Sequence, residues 1–341
     1  MVMRVGRALG VFSILTISFS LMISSARAGE TDIKVAKQFG IAYLQLTVME
    51  HDGLFEKRLA SAGRNDVKVT WATLSGGGSV NDALLAGAVQ FVPGGPAPFL
   101  LLWSKTQGYP KAEVKGLCGM NSIPHYLNTR KAQIRSVRDY TAQDRIALPS
   151  VGASNQAILL QMAAAQAFGI QNYKKLDSLT VSMKHPDAMV ALLSGAGEIT
   201  SHFTGPPFQY EELDNPAVHN VLKSYDVLGG PASFNIIYTT VQFHDQNPEI
   251  VKAFMGALED ATKAINADKR DAARIYVEVT KSKMSVEEVY KAITDPLVNF
   301  TLVPQGVMRY AEFMYQTGRL KTKPTSWKTF FFPEAYAFPG S

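Results

Sequence analysis

Between Val67 and Thr73 the chain reads VKVTWAT, apolar at every second position, which predicts a half-buried strand. The same period marks Ile33 to Lys37, IKVAK, ahead of it. Around these runs the period lengthens. Tyr43 to Leu59, Val80 to Ala88 and Pro96 to Thr106 place apolar residues three and four apart, as helices do, and Val89 to Val92 is a short apolar strand between the last two. This grammar resumes downstream. Arg145 onward gives a buried strand, a Gly/Ser turn and an Ala-rich helix ending at Gly169; Leu179 to Met183 is a strand; a helix runs from Pro186 to Ser194. "EITSHF" is the next strand, and Gly205-Pro206-Pro207 opens another helix. Strands alternating with helices predict parallel βαβ units and an α/β fold.

After Phe234 to Val241, FNIIYTTV, the character changes. A long amphipathic helix is predicted from Asn247-Pro248 through Ile265, with further helices over Ala272 to Val279, Ser285 to Ile293 and Pro304 to Thr317. Ser285 with Glu288 three residues on is a capping box. The aromatic tail, SWKTFFFPEAYAFPGS, is expected to pack along a lobe rather than form an element of its own.

The first residues change the charge picture. Arg4 and Arg7 precede an apolar run from Ala8 to Ile23, and small residues end in Ala26-Arg27-Ala28. These are the parts of a cleaved secretory signal peptide over residues 1–28, with cleavage near Ala28. Removing it takes away Arg4, Arg7 and Arg27, and the formal charge of +5 falls to +2. No clustered basic face is left for a nucleic acid. Cys118 is the single cysteine, so neither an intrachain disulfide nor a cysteine metal site is expected. The expectation is an exported chain with no metal and no cofactor.

Candidate chemistry sits at strand ends. Ser75-Gly76-Gly77-Gly78-Ser79 follows a strand and precedes a helix, at the carboxyl edge where α/β sheets bind ligands. Free N–H groups and the helix dipole favour an anion there. It is no phosphate loop, since no lysine lies between Thr73 and Leu102, and Asn81 stands where a dinucleotide motif needs its third glycine. A matching edge carries Ser150, Gly152, Ser154 and Asn155, and further strand ends offer Gly94-Gly95-Pro96 and His202-Phe203-Thr204. Around them stand Gln38, Phe39, Gly40 and Tyr43 after the first strand, with His125, Tyr126 and Phe208 elsewhere. These loops hold no arginine or lysine. Aromatics and imidazoles suit a ligand with an apolar or aromatic body and one modestly charged head. No H-E-x-x-H, G-x-S-x-G or C-x-x-C motif is present, so no catalytic residue is assigned.

The stretches QFGIAYLQLTVMEHDGLFEK, NDALLAGAVQFVPGGPAPFL, DRIALPSVGASNQAILLQMAAAQAFG, AMVALLSGAGEITSHFTGPPFQYEEL and NPEIVKAFMGALEDATKAI, in this order, give the chain its resemblance. It resembles the periplasmic substrate-binding proteins of ABC importers, in the nitrate/sulfonate/taurine-type branch that also includes thiamine-precursor pyrimidine binders. The resemblance implies a two-lobed α/β fold of the periplasmic binding protein kind (type II-like). Each lobe would be a mixed, mostly parallel sheet flanked by helices, and two crossover strands would serve as the hinge. Lobe 1 would comprise residues 29–120 and 225–341, and lobe 2 residues 121–224, with crossovers near Leu117 to Ser122 and Ser224 to Gly230. It implies a small-molecule ligand, a cognate membrane permease, a monomer, and no enzymatic activity.

Carried onto this chain, the ligand-binding positions are Gln38, Phe39, Gly40, Tyr43, Ser75, Gly76, Gly77, Gly78, Gly94, Gly95, Pro96, Ser150, Gly152, Ser154, Asn155, His202, Phe203 and Thr204. Many relatives carry an acidic residue and a tryptophan where this chain has EITSHFTGPP, so His202, Phe203 and Thr204 are expected to alter ligand choice. With no loop cation, the expectation shifts from nitrate to an organic sulfonate or carboxylate, aromatic ones included. The alternatives are a fold-related pyrimidine-precursor binding or synthesis protein, and an exported hydrolase using Ser154 with His125 or His202.

Overall fold

In a computed structural model that describes residues 1–2 and 31–341, Ile33 and Val35 of strand β1 (Asp32–Lys37) are fully buried while Asp32 and Lys34 face outward, as the period of two requires. The proposed signal peptide lies outside the described residues. β1 pairs in parallel with β2 (Lys68–Thr73). The predicted helix between them is two helices, Leu44–His51 and Leu54–Ser61. Gly53 separates them at φ 59°, a left-handed conformation that resets the helix axis. β3 (Val92–Gly94) follows the helix Gly77–Leu85 and leads into Pro96–Thr106. A parallel bridge from Val35 to Phe91 ties β3 to β1.

The chain then runs along β4 (Val114–Ser122) and leaves this sheet region for β5 (Tyr126–Thr129). A second sheet is built from β5, β6 (Ile146–Leu148), β7 (Thr180–Ser182), β8 (Ser201–Thr204) and β9 (His219–Lys223), in the order β7-β6-β8-β5-β9. The short helix Ser224–Leu228 carries the chain back to β10 (Ser233–Thr240). β10 lies between β3 and β4, and β11 (Asn299–Phe300) closes the far edge of that four-stranded sheet.

The expected mostly parallel pairing holds at β1–β2, β6–β7 and β6–β8. Near the crossings it gives way to antiparallel pairs, β10 with β3 and β4, and β5 with β8 and β9. β4 carries the chain out of the four-stranded sheet and β10 carries it back, so the two run in opposite directions side by side. Of the two expected crossover strands, the outgoing one is the end of β4, and the return is helical.

Helices cover both sheets. The 20-residue helix Pro248–Ala267 buries Ile250, Phe254, Leu258 and Ile265 on one face, where Phe254 stacks on Phe91 at 3.9 Å. A second cluster of buried side chains draws from both sheet regions. It joins Ala97 and Phe99 of one helix to Ile158 and Leu159 of Asn155–Phe168, so the two bodies share apolar packing as well as two connections. The aromatic tail lies against β4, where Phe331 bridges Gly116. Among the described residues, no helix is long and apolar enough to cross a membrane.

Candidate cleft between the two sheets

The carboxyl ends of the parallel strands in both bodies point at one narrow gap, with about 40 Å3 of free space. One wall is supplied by Gln38, Phe39 and Tyr43 after β1, Ser75 and Gly77 after β2, and Gly95 after β3. Opposite them stand Pro149, Ser154, Asn155 and Gln156 after β6, His185 after β7, and Gly205, Pro206 and Phe208 after β8. His125, Phe234 and Asn235 form the floor, where the chain crosses between the bodies. Loops at these ends converge because every parallel strand feeds a helix whose first turn opens at the same edge.

Four helices of eight residues or more begin at the cleft: Gly77–Leu85, Pro96–Thr106, Asn155–Phe168 and His185–Ser194. Their dipoles bring partial positive charge to a site that no lysine, arginine, aspartate or glutamate lines among the described residues. Part of that donor capacity is used internally. Ser154 Oγ caps its own helix by accepting from the Ala157 N–H at 3.2 Å. Asn155 reaches across the gap, where its Oδ1 accepts from the Ala97 N–H at 2.9 Å and its Nδ2 donates to the Phe234 carbonyl at 3.2 Å. Gly95 is required at this contact: a Cβ there would stand 2.1 Å from Asn155 Nδ2. The Ile41 N–H donates to Pro206 O at 3.0 Å, a second link between the bodies.

The floor is aromatic and uncharged. His125 stacks flat on Phe234, with ring centres 4.0 Å apart and planes 6° apart. Desolvation drives its basicity down to about 3, so it stands neutral. His185 is also held well below the ordinary histidine range, by desolvation first and then by the neighbouring His202 and His125. Its ring lies beside Phe208 at 5.6 Å. Burial likewise raises the Tyr43 phenol, whose OH donates to Asn235 Oδ1 at 3.4 Å.

Of the positions singled out from sequence, Gln38, Phe39, Tyr43, Ser75, Gly77, Gly95, Ser154 and Asn155 stand on the cleft wall. Gly40 lies against Pro206 on the groove outside the cleft, and Gly76 and Gly78 face Pro149 and Ser150 across the gap. Gly94 packs on Tyr238, Pro96 is buried in the first turn of its helix, and Gly152 accepts from Arg319 Nη1 at 2.9 Å. His202, Phe203 and Thr204 are fully buried in β8 behind the wall. The imidazole that reaches the cleft from this region is His185, to which His202 Nε2 is hydrogen-bonded at 2.8 Å. Sequence reasoning passed over His185, Phe234 and Asn235. The signal for His185 was present, since it precedes Pro186 at the start of a helix that follows a strand.

A wider outer groove of about 500 Å3 shares Gln38, Phe39 and Phe208 with the cleft and adds Met189, Val190 and Val279. Lys37, Lys281 and Lys283 stand at its sides with Glu211. Among the described residues, no group of three or more His, Cys, Asp or Glu is placed to hold a metal ion.

Several solved structures share this architecture at low sequence identity. The alkanesulfonate-binding protein from Xanthomonas axonopodis pv. citri, bound to MOPS, is 15% identical over 87% of this chain and 96% of its own, with a TM-score of 0.68. The periplasmic aliphatic sulphonate binding protein from Escherichia coli is 14% identical, covering 91% of this chain and 100% of its own, at a TM-score of 0.64. The periplasmic nitrate-binding protein from Synechocystis PCC 6803 is 12% identical over 88% and 85%, at 0.68. These likenesses establish the periplasmic binding protein fold. No curated protein matches the sequence. The model of the NMT1-like family matches residues 27–280, a span that takes in every wall of the cleft, and the chain belongs to that family.

Proposed function

We propose that this protein is an exported solute-binding protein that captures a small organic anion, a sulfonate or carboxylate with an apolar or aromatic body, and delivers it to a membrane ABC permease. The observation that carries this reading is the convergence of helix starts from both bodies on one cleft walled by Phe39, Phe208, Phe234 and His125. Helix starts supply N–H donors and positive potential for an anionic head without a fixed cation. Aromatic faces supply the contact for an organic body, and the outer groove gives that body room. The related folds bind alkanesulfonate, aliphatic sulphonate and nitrate according to their descriptions. Of these ligands, nitrate has no apolar portion to place on the aromatic walls.

In this reading residues 29–120 with 225–341 form one lobe and residues 121–224 the other, a division supported by the separate sheets and by the two crossings at 123–125 and 224–232. The protein works in the periplasm as a monomer, after loss of residues 1–28. Hydrolysis through Ser154 has little support: its hydroxyl is engaged as a helix cap and makes no hydrogen bond to a histidine among the described residues.

Thermal unfolding tests the ligand class. The chain from Gly29 onward is refolded from denaturant to strip bound ligand, then heated with alkyl and aryl sulfonates, aromatic carboxylates, nitrate and hydroxymethylpyrimidine. A ligand at 100 times its Kd stabilises the fold by about 2.7 kcal/mol. The expected outcome is a clear rise with organic anions and none with nitrate. A rise with hydroxymethylpyrimidine alone would overturn the ligand class.

A further inference from the structure

Behind the cleft wall lies a carboxylate that no lysine or arginine pairs with among the described residues. Glu212 is fully buried; its Oε1 lies 2.5 Å from His202 Nδ1, and its Oε2 accepts from Asn128 Nδ2 at 2.9 Å. His202, equally buried, turns its Nε2 to His185 Nδ1 at 2.8 Å. His185 then offers its own Nε2 to the cleft, where Gln156 Nε2 stands 3.3 Å away. We infer that Glu212, His202 and His185 form a proton relay that converts the cleft-facing Nε2 of His185 from an acceptor to a donor, so that binding of an anionic head takes up one proton. This rests on the anion-binding reading above and names how the site achieves it.

Proton counting gives two arrangements. In the first, the His202 Nδ1–H donates to the Glu212 carboxylate and the His185 Nδ1–H donates to His202 Nε2. His185 Nε2 is then a bare lone pair that accepts from the Gln156 amide, and the relay carries one buried negative charge. In the second, a proton from solvent bonds to His185 Nε2, the His185 Nδ1–H bond breaks, and that proton passes to His202 Nε2. His202 becomes a cation against the Glu212 carboxylate, the relay is neutral, and His185 presents Nε2–H to the ligand. His185 Nδ1 is now the acceptor of the His202 Nε2–H, and the Thr204 hydroxyl donates to the Gly205 carbonyl at 3.3 Å.

The charge rests on His202 and not on His185 for two reasons. His185 is the first residue of helix His185–Ser194, where the dipole disfavours an imidazolium. His202 touches the carboxylate, and a buried pair costs far less than a lone buried charge. The other ionisable groups facing the relay are His125 from the β4–β5 crossing and Glu211 from the same helix as Glu212. Burial, Glu212, Glu288 and Asp214 raise the Glu211 carboxyl, while Lys283 opposes them. Asn128, Gln156 and Thr204 are neutral. In the first arrangement the relay's charge repels an anion and His185 offers it no donor; in the second the relay is neutral and His185 adds its Nε2–H to the helix-start donors. Anion binding and proton uptake therefore favour each other by the same factor.

The relay is tested first without ligand. Long-range proton–nitrogen correlation of the 15N-histidine-labelled, stripped protein, assigned with His185→Asn and His202→Asn, is followed from pH 9 to pH 5. We expect His185 to remain neutral while its proton moves from Nδ1 to Nε2, in the same step in which His202 gains its second proton. A His185 that keeps one tautomer throughout, or becomes doubly protonated itself, overturns the relay. The titration is repeated with methanesulfonate as the probe. The step should move to higher pH, and methanesulfonate affinity should fall up to tenfold per pH unit above the step. Glu212→Gln should remove that dependence. If methanesulfonate raises the melting temperature but leaves the step unmoved, the coupling is wrong. If the relay titrates as described but no anion in the panel stabilises the protein, the anion-binding reading fails and the relay does not.

Discussion

His125 illustrates how one buried ring couples the cleft to pH. It lies flat on Phe234 where the chain crosses between bodies, and desolvation lowers its pKa to about 3. In the unfolded chain the ring takes up a proton near its ordinary pKa of about 6.5. Between those two values the unfolded state holds the extra proton, so stability is full at neutral pH and declines as pH falls through about 6.5 toward 3. One such group contributes a slope of about 1.4 kcal/mol per pH unit. His125→Phe keeps the stacking and removes the titration. Urea unfolding at pH 6, 5 and 4 should therefore show a variant whose stability falls less steeply by about that amount; equal slopes would contradict the burial argument. The histidines also show where residue-level reading stops. EITSHF marks His202 as lying near a strand end, and it does, but in the five-stranded sheet β8 has neighbours on both sides and is covered by helices, so His202 faces inward. His185, seventeen positions earlier, is the one exposed to the gap, and only the packing of its helix against β8 brings the two rings together. The pairing of Asn155 with Ala97 and Phe234 likewise depends on separations of 58 and 79 residues, beyond any local pattern.

At the scale of elements, most boundaries were legible because punctuation and period agreed. Pro96 and Gly95 start a helix where expected, Gly169 ends one, and Ser285 with Glu288 forms the reciprocal capping box. Ser285 Oγ accepts the Glu288 N–H at 3.3 Å while the Glu288 carboxylate accepts the Ser285 N–H at 2.7 Å. Ser285→Ala should cost about 1 kcal/mol of stability by urea unfolding. Because that helix does not line the cleft, ligand affinity should be unchanged; a parallel loss of affinity would show that its cap also supports the site. Pairing direction was less legible than element type. The apolar periods of β4, β5 and β10 say that these strands are buried, but a strand buried on both faces reads alike in either direction. The register of FNIIYTTV against VKGLCGMNS follows from the crossings, which the hydrophobic pattern does not encode.

For the whole molecule, the account rests on two bodies that close on one ligand. Here they are joined across the cleft by Asn155 and by the Ile41–Pro206 hydrogen bond, and away from it by Arg319 to Gly152 and by Tyr210 OH to Asp295 Oδ2 at 2.9 Å. These hydrogen bonds, each about 1 kcal/mol net, act beside the apolar packing of Ala97 and Phe99 with Ile158 and Leu159 in holding the two bodies together. Asn155 is the most exacting of these contacts, since it engages both Ala97 and Phe234 and is matched by a glycine at position 95. The most direct measurement is calorimetric titration of the stripped protein and of Asn155→Ala with the best organic anion from the panel, alongside small-angle scattering of each with and without it. The account predicts one site per chain, a contraction of the wild type on binding, and an affinity at least tenfold weaker in Asn155→Ala with a smaller contraction. Binding of equal strength in both proteins, with no change in dimensions, would contradict capture between the two bodies.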